Sequence, residues 1–281
     1  MINLGKKFAF KLLTIALIFT AGVLTAWAFW LEPRSLTVQN YVLQFSHEKS
    51  LPALRIGVVS DVHLGRYFSD EARLERIVGM LLKEEPDMIV FLGDFVAQRN
   101  ADAFLKAAHQ MKKLKAPLGV YSILGNHDWW ANKEQISEAL KSNGVRLIDN
   151  QVVELTWKDH PFHLVGFGDF WEDKELLDFI ASYKKSDLPT IGLTHNPDVF
   201  PETKKDISLM LAGHTHGGQV NFPIVGAPII PSRYGDRYRY GLISEKDHHI
   251  LVTSGTGNSI LPVRFRVPPE IVVVEVGFKA N

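Results

Sequence analysis

Five short polar clusters hold the residues of this chain that could do chemistry. They are Asp61-Val62-His63, Gly93-Asp94, Gly125-Asn126-His127-Asp128, a single His195, and Gly213-His214-Thr215-His216-Gly217-Gly218. Aspartate, asparagine and histidine offer oxygen and imidazole nitrogen, a donor set that suits Mn, Fe or Zn where thiolate is absent. The chain has no cysteine, which removes thiolate ligands, disulfides and cysteine nucleophiles together. In Asp61-x-His63 and His214-x-His216 a spacing of two puts both side chains on one side of an extended backbone. The glycines let backbone approach a metal without a Cβ in the way.

Each cluster sits where an apolar run stops. Residues 54–60, 88–92, 118–124, 190–194 and 207–212 read as buried strands, and the five clusters follow them directly. Ligands gather at the carboxyl ends of strands in open α/β sheets, so five separate segments are expected to converge on one place. Ser69 is expected to cap a helix in which Leu74, Ile77, Val78, Leu81 and Leu82 follow helical spacing, with Pro86 marking its end. That strand–helix–strand unit implies parallel strands. Further helices are expected at 101–114, 132–142 and near 173–184. Further strands are expected near 145–148, 151–157, 162–167, 249–254 and 271–276, with Leu36, Val38 and residues 41–45 in an outer strand. The predicted class is α/β: two packed mixed β-sheets flanked by helices, more antiparallel in the later half.

The motifs DVH, GD, GNHD, TH and GHTH, in that order, resemble those of the calcineurin-like metallophosphoesterase superfamily. The resemblance runs from about Leu54 to the C-terminus and implies a sandwich of two β-sheets with helices outside. It implies one divalent metal held by Asp61, His63, Asp94 and His216, and a second held by Asp94, Asn126, His195 and His214, with Asp94 bridging. It further implies hydrolysis of a phosphodiester or phosphomonoester by metal-hydroxide attack, with His127 contacting a phosphoryl oxygen or protonating the leaving oxygen. Many family members carry an acid three residues after the Gly-Asp aspartate, where it orients the catalytic histidine. This chain has Ala97 there, so His127 lacks its usual carboxylate. The remaining histidines, His47, His109, His160, His163, His248 and His249, have no motif around them and read as solvated or locally satisfied.

The N-terminus adds a second theme. Lys6, Lys7 and Lys11 precede an uncharged stretch, 12–31. Twenty residues at about 1.5 Å each span about 30 Å, the hydrocarbon thickness of a bilayer. Trp27 and Trp30 lie near its distal end, where indoles favour the interface. Ala26-Trp27-Ala28 could pass as a cleavage box, but a signal peptide has a shorter apolar region of roughly 7–15 residues. The expected organisation is therefore a transmembrane anchor over 1–31, a connecting segment over 32–50 and a catalytic domain over 51–281. The lysines favour a cytoplasmic N-terminus, which places the domain outside the cytoplasmic membrane of a bacterium.

The choice of substrate is less defined. Trp129 and Trp130 follow the GNHD motif, and the 231–241 stretch, with Arg233, follows GHTHGGQ. Arginine binds phosphate bidentately, and Arg233 is the candidate substrate contact. The anchor, an early Glu-Pro pair, GNHDWW, GHTHGGQ and PSRYGDRY together resemble a membrane-linked bacterial branch of the superfamily. That branch includes phosphodiesterases and a UDP-2,3-diacylglucosamine pyrophosphatase of lipid A synthesis. A lipid or nucleotide-linked lipid substrate suits an anchor, yet that lipid is cytoplasmic and the lysines point the domain outward. A non-catalytic module on the same fold would be marked by lost ligands, and all seven positions are filled. A nuclease would carry a basic face. The chain balances 31 basic against 31 acidic residues, and removing the three N-terminal lysines leaves 28 against 31, which argues against nucleic acid.

Overall fold

The apolar runs become strands covered on both faces. The computed structural model describes residues 2–97, 99–184, 186–203, 207–246 and 248–280. In chain order the elements are α1 (Ile2–Ala26), β1 (Thr37–His47), β2 (Leu51–Val59), α2 (Glu71–Lys83), β3 (Met88–Phe91), α3 (Asp102–Ala107), β4 (Val120–Ser122), α4 (Asn126–Ser142) and β5 (Arg146–Leu147). Then come β6 (Gln151–Trp157), β7 (His160–Gly166), α5 (Leu176–Ser182), β8 (Thr190–Thr194), β9 (Leu209–Ala212), β10 (Gly241–Glu245), β11 (His248–Val252) and β12 (Glu270–Ala280).

Two six-stranded sheets form, in the orders β1-β12-β2-β3-β4-β5 and β10-β11-β9-β8-β7-β6. The units β2–α2–β3 and β3–α3–β4 join parallel neighbours, as expected. The antiparallel pairs are β12 with β2, β10 with β11 and β6 with β7, so each uses a strand after residue 150.

The alternation along β3 shows how the layers are glued. Met88 and Val90 enter the cluster between the sheets, with Ile56 and Val58 from β2 and Leu193 and Leu211 from the other sheet. Ile89 and Phe91 point the other way, onto Leu74, Ile77, Val78 and Leu81 of α2. Those four recur at helical spacing and are all buried, which is the face α2 gives to the sheet. A strand covered on both sides has no polar face, hence its unbroken apolar sequence.

Several boundaries differ from expectation for identifiable reasons. Asp70, not Ser69, caps α2, its carboxylate accepting from Arg73 N at 2.9 Å. Ser69 Oγ is committed to the Val62 carbonyl. The helix expected at 132–142 begins at Asn126, because the GNHD motif is itself its first turn. Asn132 leaves helical geometry (φ −168°, ψ 91°) and accepts from Gln135 N, so the expected start marks a second segment within α4. β10 is absent from the sequence reading. It is a five-residue edge strand of alternating exposure, with no apolar run to reveal it.

Among the described residues α1 is the one helix long and apolar enough to cross a membrane, and it projects exposed from the domain. Its continuation over 27–34 is fastened to the catalytic domain. Glu32 is buried and accepts from Trp27 Nε1 at 2.6 Å and from Val267 N at 2.7 Å, while Arg264 N donates to the Ala28 carbonyl at 2.9 Å.

Candidate metal centre

The five polar clusters converge at the carboxyl ends of β2, β3, β4, β8 and β9. Five of the residues are held in the left-handed region despite having a Cβ: Asp61, His63, Asp94, His214 and His216 have φ of 53°, 49°, 56°, 69° and 51°. Each such residue costs about 1–2 kcal/mol, and such strain collects where surrounding structure over-determines the geometry. Backbone bonds between the loops supply that constraint. Asp61 N donates to the Gly93 carbonyl and His63 N to the Asp94 carbonyl, both at 3.0 Å, and His214 N donates to Asp61 Oδ2 at 3.0 Å. Asp128 faces inward and accepts from Asp94 N, Phe95 N and Gly125 N at 2.8, 2.9 and 3.0 Å. Gly125 is needed for space: a Cβ there would lie 2.7 Å from Asp94 N, 2.8 Å from His195 Cε1, and against Asp94 Oδ1.

The ligand atoms fall into two groups that share one carboxylate. His216 Nε2 lies 3.0 Å from His63 Nε2 and 3.3 Å from Asp61 Oδ1. His195 Nε2 lies 3.2 Å from Asn126 Oδ1 and 3.1 Å from His214 Nδ1. Asp94 Oδ2 stands between them, 3.5 Å from His63 Nε2 and 3.4 Å from His195 Nε2. The seven side chains are all buried. Three clusters of nitrogen and carboxylate atoms close enough to hold an ion overlap here: Asp61 with His63 and His216, Asp61 with Asp94 and His195, and His63 with Asp94 and His127.

The second ring nitrogens are oriented by the segment that follows β3. His195 Nδ1 meets the Leu92 carbonyl at 2.7 Å, His63 Nδ1 the Val96 carbonyl at 3.1 Å, and His127 Nδ1 the Ala97 carbonyl at 3.1 Å. A carbonyl only accepts, so each Nδ1 carries a hydrogen and Nε2 is the atom turned inward, where it would face a cation. The acid absent at position 97 is thereby replaced by the backbone of the same residue.

The donor set fits a divalent cation. Asp61 Oδ1 is fully buried without a hydrogen-bond partner, an arrangement that costs free energy unless a cation meets it. Burial pushes the Asp61 carboxyl up to about 6 and lowers His63 to about 4 and His214 to about 3, so those imidazoles stay neutral, the form that ligates. Burial alone would lower His195 too. The carboxylates of Asp94, Asp61 and Asp169 overcome it and hold the ring up at about 10. An excess of carboxylate in a sealed cluster is what paired cations would neutralise.

Two neighbours, Arg264 and Trp171, were not foreseen. Arg264 is completely buried, donates to the carbonyls of Ser254, Gly257 and Val267, and brings Nη2 within 3.4 Å of His216 Nδ1. Trp171 sets its ring edge-on to His214, 4.4 Å between centroids, and Trp130 lies 4.8 Å from His127 with its Nε1 on Glu172. Trp129, in the first turn of α4, packs half-buried against the core. Arg233 stands one layer out: its guanidinium covers Phe170 at 4.6 Å, and its backbone N donates to Asp198.

Asp149, just after β5, yields a stability prediction. Its Oδ1 accepts from Leu124 N at 3.0 Å, while Oδ2 is buried without a partner. Burial, with the charges of Asp173 and Asp169, raises its pKa to about 7. The unfolded chain loses this proton near 4, so between 4 and 7 the native state binds more protons and its stability falls as pH rises. In Asp149→Asn that slope is removed. The variant's melting temperature should gain on wild type between pH 4 and 7 and hold a constant offset above, as read by thermal scans across pH. A constant offset throughout would refute the assignment.

Known proteins resemble this chain over most of its length. Residues 54–218 match the family model described as calcineurin-like phosphoesterase. An Escherichia coli (strain K12) protein named phosphodiesterase YaeI is 30% identical over 250 residues, covering 87% of this chain and 90% of its own. A Bacillus subtilis (strain 168) metallophosphoesterase, YkuE, is 32% identical over 267 residues, covering 90% and 91%. A Chlamydia trachomatis protein named UDP-2,3-diacylglucosamine pyrophosphatase LpxG is 27% identical over 265 residues, covering 75% and 78%. With its motifs gathered into one buried cluster and its whole domain aligned to these proteins, the chain belongs to the calcineurin-like phosphoesterase family and is a metal-dependent hydrolase of phosphoric esters.

Proposed function

We propose that this is a membrane-anchored phosphoesterase with two divalent ions, cleaving a phosphodiester or phosphomonoester. The position of Asp94 Oδ2 between the two nitrogen groups carries the reading. Asp61, His63, Asp94 and His216 would hold one ion, and Asp94, Asn126, His195 and His214 the other. Oxygen and imidazole donors favour Mn, Fe or Zn. Ions bound there supply Lewis acidity and a nucleophile from water at neutral pH. The chain's own contribution is positional. Backbone carbonyls of 92–97 fix the imidazoles, Asp128 ties the β3 and β4 loops together, and His127 holds a proton for the leaving oxygen. Trp130 and Trp171 border the cluster, and Arg233 would reach only the distal part of a substrate.

Removing the metal tests this. Hydrolysis of bis-p-nitrophenyl phosphate should vanish after chelation and return with Mn or Zn. Activity that survives complete chelation would overturn the reading.

The relative named as a UDP-2,3-diacylglucosamine pyrophosphatase favours a second reading, a nucleotide-linked lipid as substrate. Lys6, Lys7 and Lys11 before α1 predict the opposite side of the membrane, with the domain extracytoplasmic. A topology reporter fused after Asn281 separates the two. A cytoplasmic signal favours the lipid pyrophosphatase, and an extracytoplasmic signal removes it.

A further inference from the structure

Two loops beside the metal centre expose large apolar side chains to an unusual degree. Phe222, Ile224, Val225 and Ile229 lie on one, and Ile260 and Leu261 on the other, with Ile224 and Val225 almost wholly exposed. Both loops place a β-branched residue in the left-handed region: φ is 73° at Ile224 and 57° at Ile260. A turn that faces water takes Gly or Asn at such a position, and isoleucine there is both strained and costly to hydrate.

The loops are fixed to the catalytic machinery and to the end of α1. The first continues directly from His216 and Gly217. The second is bound to it through Gln219, which exchanges side-chain hydrogen bonds with Ser259 N and Ser259 O at 2.6 and 3.0 Å. Phe222 also packs on Phe265. Arg264 N, in the second loop, holds the Ala28 carbonyl. Tyr67 donates to the Ile260 carbonyl at 3.0 Å, and next to it the Arg34 guanidinium lies 3.6 and 3.5 Å from the rings of Phe68 and Trp30, which are edge-on to each other. Half-buried Arg66 and exposed Arg266 flank the same region. An apolar crest edged with arginine, continuous with the tryptophan-bearing end of an apolar helix, has the chemistry of the lipid–water interface.

We infer that these two loops are a second membrane-seating surface. They dip into the leaflet that α1 leaves and hold the metal centre at the level of the lipid headgroups. This rests on α1 being a membrane anchor. The site thereby meets phosphoesters carried on amphiphiles at the bilayer surface.

The chain's lack of cysteine allows one reporter at a time in the full-length protein. Ile18→Cys, Val225→Cys, Leu261→Cys and Ala280→Cys are each labelled with an environment-sensitive fluorophore and reconstituted into vesicles of phosphatidylethanolamine and phosphatidylglycerol. A fraction of the lipid carries a nitroxide near the headgroup end of the acyl chain. Ala280 closes β12 opposite His47, the far end of the strand that begins beside the anchor. The expected result is a blue shift and loss of emission at 18, 225 and 261, with neither at 280. Quenching at 18 alone would overturn the seating surface and leave the anchor intact. No quenching at 18 would remove the anchor and the inference with it. A blue shift at 225 and 261 without nitroxide quenching would mean that protein, such as a second copy, covers the loops, and would also overturn it.

Discussion

Asp94→Asn should lose phosphodiesterase activity by about 10³-fold or more while remaining folded. A loss of that size is about 4 kcal/mol of transition-state stabilisation, within what paired metals contribute. The substitution is nearly isosteric. Its remaining oxygen can still accept from His127 N, which Asp94 Oδ1 now does at 2.9 Å, so the first turn of α4 is retained. What disappears is the charge. Burial alone would raise the Asp94 carboxyl, but His195 and His63 hold it well below the ordinary range, so it is ionised in the native cluster. An amide between the two nitrogen groups offers one neutral oxygen where the proposed pair of ions would call for a bridging anion. Bound metal, measured by mass spectrometry on the purified protein, should fall together with activity. Wild-type turnover by Asp94→Asn would contradict the bridging role.

The carboxylates and histidines of the centre were legible because the fold makes them so. β3 and β9 are buried on both faces, so their sequences are unbroken apolar runs, and the first charged or imidazole side chain after each is where the run meets the site. That reasoning reaches side chains at strand ends. It does not reach groups that work through backbone. The partner of His127 is the Ala97 carbonyl, and carbonyls have no signature in residue type. The left-handed φ values at Asp61, His63, Asp94, His214 and His216 are equally silent, since glycine would announce them and these residues do not.

Arg264 and Glu32 were missed for another reason. Charged residues are rarely fully buried without a partner, and the 254–268 loop that supplies carbonyls to Arg264 is defined only in three dimensions. The same two residues join the end of α1 to the loop behind His216. The apolar N-terminal helix and the site, read from the sequence as separate themes, share one hydrogen-bonded junction. The eleven-residue β1, within the segment read as a connection, pairs along its whole length with β12 and extends that junction into the sheet.

His127→Ala should lower turnover by about 10²–10⁴-fold, the usual worth of a general acid, and should leave metal content unchanged. The loss should depend on the leaving group. p-Nitrophenolate departs without much help from a proton, so bis-p-nitrophenyl phosphate should show the smaller loss and an alkyl phosphodiester the larger. The geometry is compatible with the proposed role despite Ala97. Nδ1–H donates to a carbonyl at 3.1 Å, which fixes the ring, and the indole of Trp130 packs on it, while Nε2 remains for the leaving oxygen. Two outcomes would reassign the residue. Metal lost in parallel with activity would make His127 a ligand, as its closeness to His63 and Asp94 permits. An equal loss with good and poor leaving groups would make it a contact to the phosphoryl oxygen, because only proton donation senses the basicity of the departing atom.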